Sequence, residues 1–135
     1  MHPIFRAFAH RNYRIYWTGF SLSLVGSWMQ TLAQSWLVWD LTRSPFWLGI
    51  VGAIPQLPSL ILGSIGGVLV DRAPKRTLLI VTQAGLGLSA LALATVTLMG
   101  IVRVEHVIII AAVTGIFTAV DTPARLSFVT DIVGK

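Results

Sequence analysis

Four apolar stretches divide the chain, at about residues 15–39, 47–70, 77–100 and 107–130. Each is long enough to be a membrane-crossing helix, which needs roughly 20 mostly apolar residues to span a hydrocarbon core of about 30 Å. Short polar connections separate them, so the pattern predicts an all-α bundle of four transmembrane helices joined by tight turns. In the first connection, D-L-T-R-S-P-F, Ser44 is placed to cap the second helix and Pro45 to occupy its first turn, where a missing N–H costs nothing. Asp40 closes the preceding helix, either as a polar anchor at the interface or as a group handling substrate or protons. The connection G-I-V-R-V-E-H reads as a compact loop with Arg103, Glu105 and His106 solvated.

Polar positions inside the helices carry more information than those between them. On the first helix Gly19, Ser23, Ser27, Gln30 and Gln34 recur at spacings of three and four and share one face. Leu22, Val25, Met29, Leu32 and Trp36 occupy the other faces. Lipid penalises exposed amides, so the polar stripe faces either protein or a watery cavity. Close packing accounts for the serines and the glycine, whereas Gln30 and Gln34 fit either packing or a cavity lining. Gln56 and Gln83 carry the same two readings singly. The second helix contains Gly49, Gly52, Pro55, Pro58, Gly63, Gly66 and Gly67, a composition that predicts a bent, tightly packed helix. The fourth contains D-T-P-A-R, where Asp121 and Arg125 are four apart and fall on one face. Asp121 lies about 21 Å along that helix, at a rise of 1.5 Å per residue. At such depth a charge is expensive unless paired or wet, so the two residues form an intrahelical ion pair near the interface or supply a cavity or gating charge.

Composition agrees with a bilayer as the solvent. With 55% hydrophobic and 11% charged residues and a mean hydropathy of +0.79, the chain has too few polar groups to cover a water-soluble globule of its size. The first stretch is long and runs into Trp36, Trp39 and Asp40, unlike a cleavable signal peptide with its short core and small-residue cleavage site. The net charge of +5 reflects orientation. With the N-terminus in the cytoplasm, Arg6, Arg11, Arg14, Arg72, Lys75, Arg76, Arg125 and Lys135 lie on or near the inner side, against Arg43 and Arg103 outside. That excess places both termini inside. Bases so dispersed, with no groove-reading module, argue against nucleic acid. There is no phosphate-binding loop, no nucleophile elbow, and no metal-ligand spacing among His2, His10 and His106. Cysteine is absent, which removes disulfides and thiolate chemistry. No enzyme and no cofactor are expected.

The connection between the second and third helices is the most specific feature. The run G-G-V-L-V-D-R-A-P-K-R places Gly67, Leu69, Asp71, Arg72, Lys75, Arg76 and Leu79 on the pattern G-x-L-a-D-R-x-G-R-K-x-x-L, departing from it at Pro74. Together with N-Y-R-I-Y-W-T-G (12–19), S-W-M-Q-T-L-A-Q-S-W-L-V (27–38), L-T-R-S-P (41–45) and D-T-P-A-R-L-S-F-V (121–129), it resembles the N-terminal third of a major facilitator superfamily transporter, of the enterobactin-exporter-like (transmembrane secretion effector) branch. The resemblance implies the first part of the N-terminal six-helix lobe of a twelve-helix fold in the inner membrane. It implies gradient-driven export of a small molecule by alternating access, with the remaining transporter helices, missing from this chain, completing the pathway. It also implies a gating loop in which Gly67 lets the helix end pack closely and Asp71 marks the cytoplasmic end of the second helix. Arg72 and Arg76 would then lie near acidic partners such as Asp131. Proline at 74 fixes φ where glycine would turn freely, so the loop turns differently and Pro74 starts the third helix. The competing expectation is a small four-helix membrane protein that acts as an assembly or regulatory subunit.

Overall fold

A computed structural model describes residues 10–133, so Arg6, His2 and Lys135 lie outside the described residues. These residues form five helices: α1 (Arg11–Thr42), α2 (Pro45–Ala53), α3 (Gln56–Arg72), α4 (Lys75–Leu98) and α5 (Val104–Val133). The stretch expected at 47–70 is therefore two helices. Pro55 lacks the N–H that would continue α2, and the chain turns at Ile54 and Pro55 before α3 begins. Pro58 falls in the first turn of α3, where it is harmless, whereas Pro123 sits inside α5. At the first connection Arg43 adopts a left-handed conformation (φ 51°) that ends α1, and its N–H donates to the Trp39 carbonyl. Ser44 and Pro45 then start α2, with Pro45 in the first turn and Ser44 making no side-chain cap bond.

Helices α2 and α3 run on in one direction as a single span, and the spans alternate in direction, which sets α1 antiparallel to α5. Contacts along the two confirm the register: Tyr16 packs on Phe128, Phe20 lies under Arg125, and Val38 meets Val107 and Ala111 in one cluster. Helix α5 is the centre of the bundle, packed mainly on α4 and α3. Two glycines allow these approaches. A Cβ at Gly115 would lie 2.6 Å from the Pro55 carbonyl oxygen, and one at Gly85 would run into the Phe117 ring. At Gly66 the Ala119 carbonyl oxygen would be 3.5 Å from such a Cβ. Gly67, expected to be the close-packing residue at the end of this helix, has open space around its Cα. One residue along a helix is a turn of about 100°, which puts Gly66 against α5 and Gly67 off that contact.

The core is made of small residues. Val38, Val51, Leu93, Val107 and Ala111 cluster at the end of the bundle near residues 40–44 and 100–103, and Val70, Ala119 and Ala124 are buried toward the other end. The large apolar side chains point outward instead: Leu22, Trp36, Leu60, Leu88 and Leu98 are each well over half exposed. Water would not tolerate such a surface, and lipid would. Among the described residues, Pro45–Arg72, Lys75–Leu98 and Val104–Asp131 are long and apolar enough to cross a membrane. Helix α1, expected as the fourth such span, is 32 residues long but not apolar enough to qualify, because serine, threonine and glutamine interrupt it at nearly every turn.

Candidate functional site

The polar stripe of α1 turns toward α4 and α5. Ser23 Oγ donates to Gln83 Oε1 at 2.8 Å, which fixes that amide so that its Nε2 donates to Asp121 Oδ1 at 3.0 Å. Thr82 Oγ1 donates to the same oxygen at 2.7 Å. The other carboxylate oxygen, Oδ2, accepts from Arg125 Nη2 at 2.8 Å and Nε at 3.3 Å. Asp121 thus holds four donors, about as many as a carboxylate can accept. A buried carboxylate needs this degree of satisfaction, because in low dielectric each unmet lone pair is costly. Arg125 is braced on its other side by Phe20, whose ring centroid lies 4.7 Å from the guanidinium carbon. Tyr16 stacks beside Phe20 and tilts against Phe128, extending an aromatic floor toward the same end of the bundle.

Above this polar layer lies a cavity of about 520 Å³ between α1, the α2–α3 break, α4 and α5. Ser23, Ser27, Gln30 and Gln34 line it from α1, Gln56 from α3, Gln83 from α4, and Thr114, Asp121 and Arg125 from α5. Gln30, Gln34, Asp121 and Arg125, read from the sequence as possible cavity residues, are therefore gathered on one space. Val51 and Ala111, members of the apolar cluster, close it toward the far end. Thr82 and Phe20 were not singled out from the sequence. The polar pair T-Q inside an otherwise apolar span is a signal for Thr82, since a hydroxyl there needs a partner. Nothing in the sequence marks Phe20.

The connection between α3 and α4 is laid out differently from expectation. Lys75, the first residue of α4, donates to Asp131 Oδ2 at 2.7 Å, tying the start of α4 to the end of α5. Arg72 and Arg76 do not reach Asp131. Both are exposed, as is Asp71, and none of the three pairs with a described residue. Because α4 and α5 are antiparallel, the first residue of α4 faces the last turns of α5, and Arg76 is rotated about 100° away. Ala73 and Pro74 are extended, and α4 begins directly after Pro74. At the opposite end Asp40 pairs with Arg43 at 3.2 Å in an exposed contact.

Comparison with known proteins places these features. The family of transmembrane secretion effectors matches residues 3–135. The chain is similar to the staphyloferrin A transporter of Staphylococcus aureus, with 29% identity over 115 residues, which is 84% of this chain and 29% of that protein. It therefore spans less than a third of the length of the curated relative it matches. No solved structure matches it significantly. Both matches are to transport proteins rather than enzymes, and the outward-facing apolar shell is that of a multi-pass membrane protein. The chain belongs to the transmembrane secretion effector family of the major facilitator superfamily.

Proposed function

We propose that this chain forms four membrane crossings, α1, α2 with α3, α4 and α5, of the N-terminal lobe of a twelve-helix secondary transporter. In this reading the transporter exports a small molecule from the cytoplasm, is driven by a gradient, and works by alternating access. The observation that carries it is the cavity: a stripe of serines and glutamines on a helix too polar to be a plain lipid-facing span, closed on one side by a saturated Asp121–Arg125 pair. Such polar groups are retained in a membrane where they face substrate, water or another helix. Alternating access accounts for the asymmetry between the two ends. The end carrying Lys75 and Asp131 lies in the cytoplasm, in keeping with the excess of basic residues there. The Lys75–Asp131 bridge is partly exposed, with side chains 26% and 58% accessible, and such pairs contribute about 1 kcal/mol or less. A contact that weak can break and re-form in every cycle. Asp71, Arg72 and Arg76 point away from the bundle, as gating charges would if they braced against the remaining helices.

The test is Asp71→Asn in a polypeptide that carries these residues followed by the remaining helices. Efflux of a panel of fluorescent dyes should slow while the amount inserted in the membrane stays the same. Unchanged efflux for every exported dye would remove the gating role. Orientation is tested by single cysteines at Arg43, Ala73 and Arg103. In intact cells a membrane-impermeant maleimide should label positions 43 and 103, and position 73 only after permeabilisation.

A further inference from the structure

The face of α1 turned away from the cavity carries a groove of its own, of about 510 Å³, lined by Arg14, Trp17, Thr18, Ser21, Leu22 and Val25. Thr18, Ser21 and Val25 lie about half a turn of the helix round from Ser23, Ser27 and Gln34, and no residue lines both spaces. Thr18 and Ser21 are small and make the floor, the exposed Trp17 and Leu22 flank it, and Val25 lies at its deep end. The Trp17 indole is held by donating from Nε1 to Tyr13 Oη at 2.8 Å. Thr18 turns its hydroxyl back to the carbonyls of Arg14 and Ile15, so the floor asks for no hydrogen bond there and suits an apolar occupant.

Depth in the bilayer decides what each end of the groove meets. Trp17 and Trp39 are both exposed and stand 22 residues apart on α1, about 33 Å at a rise of 1.5 Å per residue. A hydrocarbon core is about 30 Å thick, and tryptophans collect at its two boundaries. Trp17 thus marks one boundary, and Arg14, three residues outside it, stands at the level of the lipid headgroups. From Trp17 inward to Val25 is eight residues, or about 12 Å. That is most of one leaflet, whose share of the core is about 15 Å.

Charge then selects the occupant. Arg11 lies on the same face as Arg14, both are exposed, and among the described residues neither forms an ion pair. No acid precedes Asp40 on α1. The groove is therefore apolar over the depth of one leaflet and cationic where headgroups lie. A zwitterionic lipid would set its ammonium beside two guanidiniums with no acid to receive it, whereas an anionic phosphodiester matches their paired donors and leaves no cation stranded. We propose that this groove seats an anionic phospholipid of the inner leaflet, with its phosphate on Arg14, Arg11 beside it, and one acyl chain along Trp17, Thr18, Ser21 and Leu22. The leaflet rests on the cytoplasmic placement of this end proposed above, and the choice of lipid does not.

The test uses the chain in phosphatidylcholine vesicles, with Trp28, Trp36, Trp39 and Trp47 changed to phenylalanine so that Trp17, on the groove wall, is the one indole left to report. Lipid brominated near the top of its acyl chains quenches that fluorescence when it sits in the groove. Brominated phosphatidylglycerol should reach half-maximal quenching at a mole fraction roughly fivefold or more below brominated phosphatidylcholine, the advantage of one base near the membrane surface. Arg14→Gln should reduce the preference by roughly fivefold. Arg72→Gln with Arg76→Gln removes more charge from the same end of the bundle, at residues that do not line the groove, and should leave the preference unchanged. Ser21→Phe fills the floor while keeping both bases, and should abolish the preference without changing the circular-dichroism spectrum. Equal quenching by the two lipids overturns the proposal, as does quenching by neither, which would mean that protein covers the groove. A preference that survives Ser21→Phe or Arg14→Gln, or that falls with Arg72 and Arg76, is a general attraction to the basic end and also overturns it. Vesicles with the same lipids on both sides give the result in either orientation, so the lipid site and the cytoplasmic placement fail separately.

Discussion

Asp121 and Asp40 each pair with an arginine on the same helix, and their surroundings make them different groups. Asp121 and Arg125 have side chains only 10% and 19% accessible, and two further donors from α4 hold the carboxylate. Asp40 and Arg43 are 58% and 71% accessible. Removing one member of a buried pair strands the other charge, which costs about 3 kcal/mol or more, whereas an exposed pair contributes about 0.5 kcal/mol. Asp121→Ala should therefore lower the unfolding midpoint in detergent clearly, and Asp40→Ala should leave it within error. The same contrast applies to Lys75 and Arg76. Lys75→Met should speed hydrogen exchange in the last turns of α5 by up to roughly fivefold, the equivalent of about 1 kcal/mol, and Arg76→Met should not. The ion pair on α5 was legible because both partners lie four apart on one helix. The partnership of Lys75 with Asp131 was not, since which of three neighbouring bases faces α5 depends on the register of two helices, and sequence spacing does not contain that register.

At the scale of elements, the approach of α5 to its neighbours depends on particular glycines. Gly115→Ala would push a methyl group against the Pro55 backbone, which cannot rotate away as a side chain could. It should cost on the order of 1–3 kcal/mol, typical of overpacking. Gly67→Ala and Gly87→Ala have open space and should be neutral or slightly stabilising, by up to about 1 kcal/mol from helix propensity. Thermal unfolding of the three variants side by side checks the ordering. The presence of helices, a bend in the stretch 47–70 and the polar face of α1 were legible in the sequence, because periodicity and proline act locally, whereas the division of that stretch into two helices at Pro55 rather than Pro58 was not. Which of the glycines matter was not, for a glycine that admits another helix and one that faces outward look alike in one dimension. Helix α1 shows the opposite limit. Its length suggests a simple crossing, yet the stripe that makes it interesting also makes it too polar to be recognised as one by hydropathy.

The whole molecule is packed inside out relative to a soluble bundle: small residues and a polar network within, large apolar side chains without. Bringing Ser23, Gln83, Thr82, Asp121 and Arg125 into one network takes three helices, and the sequence shows only that each carries a polar residue in an apolar stretch. The account stands on the claim that this interior is a wet cavity and that the other faces of α1 meet lipid. A cysteine scan of α1 in a bilayer tests it most directly, with single cysteines at Ser27, Gln30 and Gln34 against Leu22, Met29 and Trp36, each reacted with a membrane-impermeant maleimide. The account predicts rapid labelling of the first three positions and slow labelling of the second three. Uniform labelling, or the reverse order, would contradict it.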